Sequence, residues 1–128
     1  MKKILIIEDH ADMRELLSWQ VELMGFAPVV AKLAREGIEK ALDERPDLII
    51  LDIMMPGMDG WQAARELRAN PEMKNVPILA ATALFREADL KACAAAGCNS
   101  HIVKPFTFQE LQAKVMELLP STNPEFSR

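Results

Sequence analysis

Two kinds of apolar pattern alternate along the chain. Short, nearly continuous apolar runs at residues 3–8, 27–30, 47–52, 76–81 and 100–103 suit strands covered on both faces. Between them, apolar residues return every three or four positions, as in helices with one buried side. The first such segment, 12–24, carries Met13, Leu16, Leu17, Val21 and Met24 inward and ends at Gly25. The second, about 35–44, turns Ile38, Ala41 and Leu42 inward and is stopped by Pro46. A loop dense in turn residues, 53–60 (IMMPGMDG), leads into a helix over 61–69. An alanine-rich helix over 86–96 is capped by Gly97. Pro105 breaks the fifth strand, and Thr107 N-caps a last helix to about Leu119, with Leu111, Val115, Leu118 and Leu119 on one face.

Strict alternation of strand and helix with short connections implies an α/β fold, a parallel sheet with helices on both faces. Five units suit the doubly wound order 2-1-3-4-5, although the pattern leaves other orders open. The length of 128 residues, half of them apolar, fits a single core. Residues 1–120 are expected to form that domain, and the polar, proline-interrupted 121–128 a flexible tail. A net charge of −4 argues against direct nucleic-acid binding. No apolar run approaches the ~20 residues that span a bilayer, and the few apolar residues after Met1-Lys2-Lys3 are too short for a signal peptide. No membrane association and a cytoplasmic location are therefore expected. Cys93 and Cys98 match neither a zinc knuckle nor a redox pair, and read as small buried residues. The eight methionines read mainly as packing.

In sheets of this class ligands bind beyond the carboxyl ends of the strands. Glu8 and Asp9 close the first strand and Asp52 the third, so three carboxylates are expected at one edge. Like charges that close need a cation among them. Mg²⁺ suits a few carboxylates together with water and phosphate oxygens. Thr82 ends the fourth strand with a hydroxyl and Lys104 the fifth with an ammonium, making the site formally neutral once a dication is counted. Such a set favours carboxylate attack on phosphorus, with Asp52 as the nucleophile and Glu8 and Asp9 as metal holders. One acid at a strand end is usually only a polar cap. Five residues of the right types at several strand ends are not explained that way. His10 reads as a loop residue.

These residues sit in KILIIEDH (3–10), PDLIILDIMMPGMDG (46–60), VPILAATA (76–83) and AAGCNSHIVKPF (95–106), and together they resemble the receiver domain of bacterial two-component response regulators. The resemblance implies the flavodoxin-like (CheY-like) fold in the order 2-1-3-4-5. It implies Asp52 as phosphoacceptor, Glu8 and Asp9 as the acidic metal pair, Thr82 as the switch hydroxyl and Lys104 as the phosphate-binding lysine. It adds the Met54 backbone carbonyl as a metal ligand and a cis peptide between Lys104 and Pro105. The aromatic switch position of the family is His101 here, a departure that offers a pH-responsive ring or simply a half-exposed strand residue. Met54 and Leu84 occupy the positions that set water access to the acyl phosphate.

Charge added to Asp52 should draw in Thr82 and Lys104 and re-pose the segment 83–87. The family places docking or phosphorylation-dependent dimerisation on a face that includes Arg86, Lys91, His101, Phe106 and the last helix. The implied partners are a sensor histidine kinase or phosphotransfer protein and a downstream target or output domain. Catalysis is expected only of its own phosphorylation and slow dephosphorylation, not as an enzyme on other substrates. The ending leaves two readings open: a free-standing receiver, or the first part of a longer regulator with EFSR as a cloning remnant. A haloacid-dehalogenase-type phosphatase would place a second Asp where Met54 stands. An FMN-binding relative would not follow its first strand with Glu8-Asp9, and no GxxxxGK loop occurs. A receiver-like docking module that is never phosphorylated is the remaining rival.

Overall fold

The computed structural model describes residues 1–83 and 86–119. Five strands alternate with five helices: β1 (Lys3–Ile7), α1 (Ala11–Leu23), β2 (Ala27–Ala31), α2 (Ala34–Glu44), β3 (Leu48–Asp52), α3 (Gly60–Ala69), β4 (Ile78–Thr82), α4 (Glu87–Ala95), β5 (Ser100–Val103) and α5 (Phe108–Leu118). All strand pairs are parallel, in the order β2-β1-β3-β4-β5. The doubly wound expectation is met. Pro120 and the tail 121–128 lie outside the described residues.

Period-two alternation sends each strand's side chains to two cores. Leu5, Ile7, Ile49, Leu51, Ile78 and Ala80 pack on one side with residues of α2, α3 and α4, among them Ala41, Ala64 and Cys93. Ile4, Ile6, Leu48, Ile50, Leu79 and Ala81 pack on the other with Leu17 and Val21 of α1 and Leu111 and Val115 of α5. Small residues on α2 and α3 let those helices approach the sheet closely. A Cβ on Gly37 would lie 2.4 Å from the Ile7 side chain. Cys93 and Cys98 are free and buried, as expected.

Local chemistry explains most boundaries. Thr107 and Glu110 form a reciprocal capping box at the start of α5. The Asp59 side chain accepts from Gln62 N to open α3. α2 closes on Arg45, which takes the left-handed conformation at φ 50°, directly before Pro46. β4 begins at Ile78, two residues later than expected. Pro77 has no N–H for the ladder, and a 3-10 turn over Pro71–Met73 occupies the chain before it.

One expected core position is corrected. Leu16 is 42% exposed and shares the outward side of α1 with Trp19 and Leu23, whereas Leu17 is buried. At 100° per residue only one of two adjacent leucines can point squarely at the sheet. Leu17→Ala is therefore expected to cost about 2–5 kcal/mol in urea unfolding, and Leu16→Ala well under half of that. Equal costs would mean that α1 is rotated from the arrangement described.

Candidate functional site

Parallel register brings distant residues to one edge. Ile7 pairs with Leu51, so Glu8 and Asp52 come next, side by side. Asp52 pairs with Ala81, the residue before Thr82, and Thr82 pairs with Val103, the residue before Lys104. Ladder-like bonds continue past the strand ends: Glu8 N donates to Ala31 O at 3.0 Å, Ile53 N to Ala81 O at 3.2 Å, and Lys104 N to Thr82 O at 2.8 Å. The backbone thus fixes where each of these side chains starts.

The carboxylates are held in little water. Glu8 is 1% exposed, Asp52 4% and Thr82 1%. Lys104 Nζ lies 2.8 Å from Glu8 Oε1 and 3.5 Å from Asp52 Oδ1, bridging the two acids. Met54 N donates to Asp52 Oδ1 at 3.1 Å and orients that carboxylate. Burial pushes the Asp52 pKa up to about 7; the Glu8 carboxylate adds to the rise and Lys104 opposes it. Burial also works to raise the Glu8 pKa. Hydrogen bonds, first from Lys104 and then from His10 N, outweigh it and hold Glu8 below its ordinary value. The two acids therefore differ in the environment that each ion must tolerate.

Around this pair the loops are braced by residues that sequence reading passed over. Arg14 Nη1 donates to the carbonyls of Glu8 at 3.0 Å and Asp9 at 3.2 Å, pinning the acidic loop to α1. A cation one helical turn beyond an acidic pair was the available signal. Gly60 N donates to Ile53 O at 2.9 Å, and a Cβ on Gly60 would lie 2.4 Å from Ile53 Cα and 2.9 Å from Asp52 O. Only glycine lets α3 start that close to the end of β3.

Glu8, Asp9, His10 and Asp52 each offer a ligand atom, and these atoms lie within 4.8 Å of one another. Asp9 Oδ1 is buried without a hydrogen bond, a polar atom that a cation would satisfy. The donor set fits a divalent metal. His10, expected as a loop residue, is the N-cap of α1 and uses no side-chain capping bond.

The remaining expected residues lie apart from this edge. Arg86 pairs with Asp89 and Lys91 with Glu87 along α4, both at 3.2 Å. His101 is half-buried and lines a groove of about 350 Å³ with Glu110 and Lys114 of α5. Phe106 packs partly against the α1 and α5 core. The Lys104–Pro105 peptide is cis. Leu84 lies outside the described residues.

A parallel five-stranded sheet with a buried aspartate, two flanking acids and a lysine at its carboxyl edge defines a receiver-like signalling module. The family of response regulator receiver domains matches residues 4–116, and the chain belongs to that family. It is 40% identical over 117 residues to the transcriptional regulatory protein ResD of Bacillus subtilis, covering 91% of this chain and 48% of that protein. It is 38% identical over 126 residues to the phosphate regulon transcriptional regulatory protein PhoB of Rhizobium meliloti, covering 98% and 55%. The chain thus spans about half the length of these curated relatives.

Among solved structures, chemotaxis protein CheY4 of Vibrio cholerae superposes with a TM-score of 0.89 at 29% identity, covering 93% of this chain and 99% of that one. The receiver domain of sensor histidine kinase PA1611 from Pseudomonas aeruginosa superposes at 0.86 with 30% identity, covering 94% and 98%; that structure holds a magnesium ion in its active site cleft. This chain is a switch domain of two-component signalling. Among the described residues no helix is long and apolar enough to cross a membrane.

Proposed function

We propose that the domain, residues 1–120, accepts a phosphoryl group on Asp52 from a histidine kinase or phosphotransfer protein, in a Mg²⁺-dependent reaction. The observation that carries this reading is the Asp52 carboxylate, 4% exposed and held between Lys104, Glu8 and the Met54 amide. An Asp52 oxygen attacks phosphorus, the bond to the donor breaks, and an acyl phosphate forms on Asp52. Lys104 takes up part of the charge on the phosphoryl oxygens. Glu8, Asp9, Asp52 and the Met54 carbonyl would hold Mg²⁺, which supplies charge neutralisation for the transferring group. The domain works as a signalling protein whose only catalysis is its own phosphorylation and slow hydrolysis. The cytoplasm, where such donors act, is the location that fits.

Acetyl phosphate with Mg²⁺ should add one labile phosphoryl group by intact mass, and Mg²⁺-free protein should add none. Absence of an adduct in both would favour a docking module that is never phosphorylated.

The signal is a population shift. Phosphate on Asp52 favours an inward Thr82, which re-poses the start of α4 and the face carrying Arg86, Lys91, His101 and Phe106. That face serves the downstream target or a phosphorylation-dependent dimer. Thr82→Ala should keep phosphoryl uptake and lose most of the change in hydrogen exchange over α4 and β5. An undiminished change would break the proposed coupling.

A further inference from the structure

We propose that the His10 imidazole is a nitrogen ligand of the metal centre, so that the site takes a borderline first-row cation, such as Co²⁺ or Zn²⁺, through a bond that Mg²⁺ does not favour. The inference rests on the metal reading above and deepens it. His10 Nδ1 stands 3.4 Å from Glu8 Oε2 and 3.4 Å from Asp9 Oδ1, at equal distance from the two acids. Ligands bound at about 2.1 Å to one ion are separated by roughly 3.0 Å in octahedral and 3.4 Å in tetrahedral arrangements. The observed spacing is that of atoms ready to share an ion.

Three further observations converge on the same point. His10 N donates to Glu8 Oε2 at 3.2 Å, so the backbone that carries the ring also holds the carboxylate toward it. Asp9 Oδ1 is buried and accepts no hydrogen bond. The ring is otherwise uncommitted: its side chain is 74% exposed and does not cap α1. A neutral imidazole binds first-row transition ions and zinc well, whereas Mg²⁺ keeps to oxygen ligands and water. The three acids alone make a site for hard cations; His10 changes its ranking.

The test is titration of the metal-stripped chain with Mg²⁺, Co²⁺ and Zn²⁺, for wild type and His10→Ala, read by calorimetry and by the visible absorption of Co²⁺. Wild type should bind Co²⁺ and Zn²⁺ more tightly than Mg²⁺. His10→Ala should weaken Co²⁺ and Zn²⁺ by about tenfold or more, alter the Co²⁺ spectrum, and change Mg²⁺ affinity by less than about twofold. Circular dichroism should report an unchanged fold, since the ring makes no capping bond. Unchanged Co²⁺ and Zn²⁺ affinity in His10→Ala, or an equal loss for all three cations, overturns the imidazole ligand while leaving the carboxylate site intact. Failure of wild type to bind any of the three overturns the metal centre itself, and this inference with it.

Discussion

Asp52→Asn is expected to abolish phosphoryl uptake and, in metal-free protein, to raise the melting temperature above pH 7. The first effect follows because an amide is no acceptor for a phosphoryl group under these conditions. The second follows from the electrostatics of the site. Burial, reinforced by Glu8 and opposed by Lys104, lifts the Asp52 pKa from its ordinary 3.8 to about 7. Between those values the folded chain holds a proton that the unfolded chain has released, so stability falls as pH rises. The penalty is absent below pH 3.8, complete above about 7, and worth at most about 4 kcal/mol. Asparagine removes this net penalty, in which the attraction of Lys104 is already counted. A net gain of a few kcal/mol remains, or roughly 5 °C and upward at pH 8. The gain should shrink as pH is lowered toward 4, and also on adding Mg²⁺ to both proteins. Thermal melts across pH check this; an unchanged or lower melting temperature at pH 8 would contradict the strained carboxylate.

Lys104→Ala should act in the opposite sense. Its ammonium is the cation within reach of both Glu8 and Asp52, at 2.8 and 3.5 Å. Removing it leaves two nearly buried carboxylates uncompensated, a change that costs about 3–5 kcal/mol in comparable buried pairs. The Glu8 pKa is held below its ordinary 4.5, so the stability that its ion pair contributes is present above that pH. It is lost as pH falls through the lowered folded value. The deficit of Lys104→Ala should therefore be largest at pH 7–8 and diminish in acid. Phosphoryl uptake should slow by roughly tenfold to a hundredfold, the kinetic equivalent of one charge-assisted contact. Lys104→Arg separates the two roles: charge returns, but the guanidinium is too broad for the ammonium's position, so stability should recover more than rate. Urea unfolding and intact-mass time courses read the two. A Lys104→Ala chain as stable as wild type at pH 8 would mean that the buried acids are compensated by something else.

How much of this was legible beforehand depends on the range of the interaction. The runs ending in Glu8, Asp52, Thr82 and Lys104 are local patterns, and each strand appears close to where apolar content places it. Caps are equally local, as Thr107 with Glu110 shows. β4 starts later than its continuous apolar run suggests because the proline constraint and the 3-10 turn before it compete with that run. Leu16 and Leu17 have the same hydropathy, and only packing against the sheet decides which of the two turns inward.

By itself, then, the amino-acid order determined the alternation of elements, the parallel sheet and the acids, hydroxyl and lysine at its strand ends, since all of these follow from short-range periodicity and the rule for such sheets. Tertiary structure decided what those residues are to one another. It set the register that places Glu8 beside Asp52, the burial that separates their proton affinities, and the bridging position of Lys104. It also turned His10 toward both acids and placed Arg14 under their loop. Distances of a few ångströms between residues many positions apart are set by the packing of the whole sheet, and charge interactions at that range change steeply with each of them.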